Sequence, residues 1–257
     1  MATGRTVAKW VRFYAAGSNQ STYGRAVGPL KWEYEEADLT AQMGDSVRGY
    51  LPDTVSLGIG TASIVFNAQT VTGLPTMYSY PGNAYDVMIP IGIQAAPAAG
   101  DPVYVGKFEI ASFQPLEEGK AAVASVTFAD WDASDLPGYE KPWGNLLHAR
   151  SAATAVNTST GDHDHGAQTT AGGYMAYQVF SGGDGTATIK VQHSATAVDG
   201  DFADLGGCTT GVIDCSVVSA GIVNTTTTTT TVERYTRWQI VLGTATTLTF
   251  ALAFIRG

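Results

Sequence analysis

Two imidazoles and two carboxylates fall within four residues at Asp162, His163, Asp164 and His165, a run with the composition of a metal site. In extended backbone His163 and His165 point the same way while the two aspartates take the opposite face. A zinc-type site needs further donors converging on the same point, and the Ser-, Thr- and Gly-rich flanks offer none nearby in sequence. The run therefore reads as a polar loop, and no metal is expected.

Nucleophilic catalysis needs Ser, Thr or Cys beside a base and an orienting group. The chain has no Gly-x-Ser-x-Gly elbow, and His148 and His193 read as strand histidines. Carboxylates gather around Glu33 to Asp38, at Glu117 and Glu118, and from Asp130 to Asp135, where a glycosidase would need only two across a cleft. Scattered surface acids are the commoner reading. There is no phosphate loop and no dinucleotide fingerprint. The expectation is a protein that is not an enzyme, with no catalytic residues and no cofactor. Cys208 and Cys215 are the only cysteines. They read as small buried residues near a hairpin, with a local disulfide as the lesser alternative. The 12 Tyr and 5 Trp, among them Trp32, Tyr34, Tyr174 and Trp238 at alternating strand positions, suit core packing or a subunit interface better than ligand stacking.

The elements that would carry these residues are strands. Only 14% of the 257 residues are charged, against about 25% in ordinary soluble domains, so part of the surface is expected to be covered by neighbours. The net charge of −9 argues against tight binding to nucleic-acid phosphates and is compatible with repelling DNA. Thirty glycines and abundant Thr and Val favour an all-β chain. The N-terminus lacks the apolar core of a secretory signal, and no apolar run reaches the roughly 18 residues of a membrane span. A soluble protein made in a cytoplasm is expected, with no membrane partner.

Strands are expected at Thr6 to Tyr14, Pro29 to Glu35, Thr54 to Phe66, Met88 to Gln94, Tyr104 to Phe113 and Ala121 to Phe128. One helix is expected from Asp38 to Leu51, on the four-residue spacing of Leu39, Met43, Val47 and Leu51, ended by Pro52. Residues 130–143 break the pattern with two prolines and five charges, which places a boundary near residue 138 and two domains at 1–137 and 138–257. Beyond it, Trp143 to Ala149, Gly173 to Ser181 and Gly185 to His193 read as strands. Gly182 to Gly185 reads as a tight hairpin between the last two. Seven consecutive threonines, Thr225 to Thr231, read as a loop tip or edge strand. A second hairpin closes the chain from Arg234 to Arg256. Leu248, Phe250, Leu252 and Phe254 share the buried face of its second arm, and Thr247, Thr249, Ala251 and Ala253 take the other.

The order of elements in residues 5 to 130, with Glu35-Glu-Ala-Asp-Leu-Thr-Ala-Gln-Met-Gly-Asp-Ser-Val-Arg-Gly-Tyr-Leu-Pro52 followed by Val55-Ser-Leu-Gly-Ile-Gly-Thr-Ala-Ser-Ile-Val-Phe66, resembles the major tail proteins of siphophages, the subunits of a long non-contractile tail tube. The second half looks like the C-terminal portion of some of these proteins through Gly185-Thr-Ala-Thr-Ile-Lys-Val-Gln-His-Ser194, Phe202-Ala-Asp-Leu205 and Arg234-Tyr-Thr-Arg-Trp238. The resemblance implies a mainly β fold: a tail-tube-like β-sandwich or barrel with one short helix, then a second β-sandwich of jelly-roll or immunoglobulin type. It implies a virion structural protein that self-assembles into stacked rings, trimeric or hexameric, contacts other tail proteins, and passes DNA through its lumen without binding it specifically. Glu33, Glu35 and Glu36 are candidates for an acidic lumen wall. The alternative is a carbohydrate-binding adhesin or decoration protein of the virion. Arg234, Arg237 and Trp238 are then better suited to packing or subunit contact than to chemistry.

Overall fold

The computed structural model describes residues 10–22, 24–26, 30–38, 50–59, 62–65, 84–93, 95–114, 123–128, 131–132, 141–154, 162–181 and 183–257. Among them the chain forms nineteen strands and no α-helix. In order these are β1 (Tyr14–Ala15), β2 (Ser18–Asn19), β3 (Gly24–Ala26), β4 (Leu30–Asp38), β5 (Tyr50–Ile59), β6 (Ala62–Val65), β7 (Ala84–Pro90), β8 (Pro102–Gln114), β9 (Val123–Phe128) and β10 (Trp131–Asp132). Then follow β11 (Trp143–Ala153), β12 (His163–Asp164), β13 (Gly173–Ser181), β14 (Thr186–Ser194), β15 (Ala203–Thr209), β16 (Ile213–Asp214), β17 (Ser219–Asn224), β18 (Tyr235–Leu242) and β19 (Leu248–Arg256). The mainly β expectation holds. Of the proposed helix, residues 39–49 lie outside the described residues, but its ends are strand: Asp38 pairs with Tyr50, Ala37 with Leu51 and Glu36 with Pro52. Pro52 thus sits inside β5, beside a register shift between Tyr34 and Glu36, the kind of irregularity that accommodates a residue without an N–H.

One long antiparallel sheet runs in the order β17-β13-β19-β11-β8-β7-β1-β2, with β9, β6 and β3 continuing from β8. A second sheet runs β12-β18-β14-β15, with β16 also on β14, and β10, β5 and β4 form a third. The long sheet passes from one half of the chain to the other where Trp143, Gly144 and Asn145 of β11 pair with Tyr104, Val103 and Pro102 of β8. The expected boundary near residue 138 lies outside the described residues.

Two hydrophobic cores share the strands β11, β13 and β19. On one face Phe13, Tyr14, Val87, Met88, Val103, Tyr104 and Phe108 close on Leu146, Tyr174, Ala176, Ala251, Ala253 and Ile255. On the other, Leu147, Met175, Leu248, Phe250, Leu252 and Phe254 meet Ile189, Val191, Trp238 and Ile240 of the second sheet. β19 is therefore buried on both sides, where the sequence suggested one. Its small face, Ala251 and Ala253, lets the first core pack close against the sheet, and its large face fills the second.

Both expected hairpins are corners between sheets. β13 pairs with β17 and β19 in the long sheet, whereas β14 pairs with β15, β16 and β18. The connection between them turns at Gly185, which has φ +112°; a Cβ there would lie 2.4 Å from the Ala245 nitrogen, so a side chain would collide with the second corner. That second corner carries the chain from β18 to β19, again from one sheet to the other. The two layers are thus stitched together twice.

Candidate functional site

β1 and β2 are joined by a turn through Ala16 and Gly17, both at positive φ (49° and 73°). The turn comes to rest on β13, on the far side of the curled sheet. There Gln178, fully buried, accepts a hydrogen bond from the Gly17 N–H at 2.7 Å and donates one to the Asp86 carbonyl of β7 at 2.8 Å. A Cβ on Gly17 would stand 2.5 Å from the Val179 carbonyl oxygen and 2.8 Å from the Ser219 nitrogen. One side chain thereby links the N-terminal turn, β7 and β13. Nothing in the sequence marks it, because a lone Gln in a strand pattern carries no motif.

His148 lies on β11 at a bulge, with register shifts on both sides of it. Its ring stacks on Phe250 at 4.1 Å and meets Trp238 edge-on at 4.4 Å. Its Nδ1 donates to the Phe250 carbonyl at 3.1 Å, and its Nε2 lies 3.3 Å from the Ser151 hydroxyl. Burial lowers its pKa to about 4, opposed only in part by the Phe250 hydrogen bond, so the ring is a neutral core residue. His193, also in a strand as expected, accepts the Glu233 N–H at Nδ1. Burial shifts its pKa downwards.

The Asp162 to His165 run folds onto β18. His163 and Asp164 form β12 and pair with Thr236 and Tyr235. Asp164 takes Arg234 in a two-pronged ion pair at 2.8 and 2.7 Å and accepts the Gly166 N–H. The side-chain hydrogen bond from Arg234 holds its carboxyl well below the usual range. His165 Nε2 meets the Thr236 hydroxyl at 2.9 Å, and the two imidazoles touch edge-on with centroids 4.5 Å apart. Burial lowers both, His165 to about 4. Asp164 is engaged by Arg234 and His165 by Thr236, and among the described residues no group of His, Cys, Asp and Glu could hold a metal ion.

On the outer face of the second sheet, the buried Arg237 guanidinium lies 4.0 Å above the Phe202 ring. It donates to Gln192 Oε1 at 3.0 Å and Asp199 Oδ1 at 2.9 Å. Gln192 in turn donates to Asp204 and Gln239, and Lys190 pairs with Asp204 at 2.6 Å. These polar groups hold β14, β15 and β18 to the 3-10 turn at Asp199–Asp201. Arg237 and Trp238 are buried, whereas Arg234 is exposed and engaged in its ion pair with Asp164.

Tyr174 is buried and donates its hydroxyl to the Lys141 carbonyl at 2.6 Å. Cys208 and Cys215 are buried and unbonded. Thr225 to Thr231 form a loop: Thr225 is buried, accepting the Gly173 N–H and donating to the Thr227 carbonyl, while residues 226–229 are exposed. Glu33, Glu35 and Glu36 belong to β4, but their side chains, with those of Trp32 and Tyr34, lie outside the described residues. So do Glu117, Glu118, Asp130 and residues 133–135.

No protein-family model matches the chain, and no curated protein matches it. Among solved structures, the chain is similar in outline to the Dit protein of phage SPP1, described as a paradigm of the hub adsorption apparatus in phages infecting Gram-positive bacteria. That match has 12% identity and a TM-score of 0.32 over 96% of this chain and 99% of the other. Chains of the phage p2 baseplate in its activated conformation, with strontium and with calcium, match at 8% and 9% identity and TM-scores of 0.33 and 0.31. Each match covers 96% of this chain and 98% of the other.

Proposed function

We propose that this chain is a structural subunit of a phage tail that self-assembles into stacked rings around a channel for DNA. The observation that carries the proposal is the resemblance of the sequence pattern in both halves of the chain to siphophage major tail proteins, on a strand-built fold poor in charge. The polar side chains support it from another direction. Arg234, Arg237 and Lys190 are each paired with an aspartate, and His148 and Gln178 bond to backbone, so these groups serve cohesion. An acidic subunit suits a conduit, because a wall of the same sign as the phosphates lets DNA slide without sticking. The expected partners are further copies of the chain and other tail proteins, within a virion. Sedimentation velocity over a concentration series tests the proposal: mass should rise to closed oligomers, and a monomer at every concentration would overturn it.

The alternative, a carbohydrate-binding adhesin or decoration protein, has one observation in its favour: Lys190, Gln192, Asp204 and Gln239 form a hydrogen-bonded polar row on the outer face of a sheet. Glycan-array binding lost on Gln239→Ala would support it over the tube.

A further inference from the structure

Two imidazoles stand in contact at the edge of the second sheet. The His163 and His165 rings meet edge-on with centroids 4.5 Å apart, and His165 Nε2 lies 2.9 Å from the Thr236 hydroxyl. Both belong to a run, residues 163–172, that lies along β18 and the chain leading into it: the N–H groups of His165, Thr169 and Gly172 donate to the carbonyls of Arg234, Val232 and Thr230. Neither hydrophobic core includes any residue of this run, and residues 163–171 are all half-buried or exposed. Its only strand is β12, two residues long, so it can lift away at far less cost than a core strand.

The surroundings of the pair leave little room for added positive charge. From β19, Phe254 meets His165 edge-on at 6.3 Å and Arg256 opposes a charge on the same ring. The Arg256 Nε is itself buried with no hydrogen-bond partner among the described residues. Asp164 favours a charge on both rings, but Arg234 of the segment entering β18 already holds its two carboxylate oxygens. Asp162 lies in the fields of Arg237 and Asp199. On the side of the first half, a Cβ on Gly100 would stand 3.8 Å from His163 Nδ1, and the acid of that loop, Asp101, accepts the Ala98 N–H. Two protonated rings in contact, beside Arg256, repel.

We propose that residues 163–172 form a strap on the edge of β18 that protonation of His163 and His165 releases while both cores stay closed. Burial already lowers the pKa of each ring. The docked strap is therefore fully stable above the ordinary histidine value of about 6.5 and loses stability as pH falls below it. Release bares the β18 edge at Tyr235 and Thr236, since β18 is paired with β14 on its other side, and an open edge offers unpaired N–H and C=O groups to another strand.

Hydrogen exchange of the full chain, read by mass spectrometry and corrected for the intrinsic pH dependence of amide exchange, tests this. Between about pH 7.5 and about pH 5, protection of residues 163–172 should fall by about tenfold or more, while β13 and β19 keep theirs. His163→Gln/His165→Gln should remove that pH dependence. Should the double variant fail to dock the strap even at the higher pH, Arg256→Gln, which takes away the neighbouring cation, should move the release to lower pH. Strap protection that is unchanged at the lower pH overturns the proposal, and so does a pH dependence that survives the double variant. An equal loss in β13 and β19 also overturns it, because the whole fold would then be opening.

Discussion

Gln178 binds Gly17 and Asp86 at once, accepting from the first at 2.7 Å and donating to the second at 2.8 Å. With no ladder of backbone bonds between the β1–β2 turn and β13, this buried amide is the polar tie between them. Gln178→Leu removes both bonds: it strands the buried Gly17 N–H, at about 1–3 kcal/mol, and takes one hydrogen bond from the Asp86 carbonyl, at about 1 kcal/mol more, since that oxygen still accepts the Ala16 N–H at 3.3 Å. Urea unfolding should show a loss of roughly 2–4 kcal/mol. Gly17→Ala should also destabilise, through its positive φ and the close Val179 carbonyl. A loss within about 0.5 kcal/mol for the Gln178 variant, the range of ordinary surface changes, would refute the tie.

Burial of β19 on both faces separates the structure from the one-sided strand read from sequence. Ala253→Leu should overpack the first core and cost about 1–3 kcal/mol, whereas on a solvated face it would be near neutral. Thermal melts decide between the two.

Acid should weaken the fold through its histidines. All four have folded-state pKa values below the ordinary 6.5, with burial as the leading cause. The unfolded chain then binds protons first. Stability is full above about pH 6.5 and falls as pH drops towards about 4, the value for His148 and His165. The His148 shift alone corresponds to about 3 kcal/mol across that window. Denaturant midpoints for the wild type should fall over this range, and His148→Phe should flatten the slope. A wild-type midpoint constant from pH 7 to 4 would contradict the burial of these rings.

The thiols give a simple probe of the second core. Cys208 is buried and its pKa pushed up to about 12, with desolvation as the main cause. A thiol reagent at pH 8 should leave the native protein unmodified and label two cysteines after denaturation. Rapid native labelling would show the core to be open.

The strand positions of β8, β11 and β19 were legible because their apolar residues alternate or run continuously, and side-chain period follows from backbone geometry. Sheet membership was not. The turn residues at Gly182 to Gly185 mark a reversal of the chain, but a reversal within one sheet and a corner between two use the same glycines, so β13–β14 and β18–β19 read as hairpins. The second buried face of β19 was hidden because Ala251 and Ala253 look like solvent-side residues until a core is found against them. The burial of Arg237 and Trp238 was legible from their places in a strand, whereas Arg234 stands just before β18, exposed and paired with Asp164. Gln178 and the His148–Phe250 stack were not, since the partners of Gln178 lie 92 and 161 residues away and Phe250 lies 102 residues from His148 in sequence.

The central claim is self-assembly into rings. Negative-stain microscopy of the purified protein should show closed rings of defined symmetry, stacking into tubes as concentration rises. A field of separate monomers at the highest attainable concentration would contradict it.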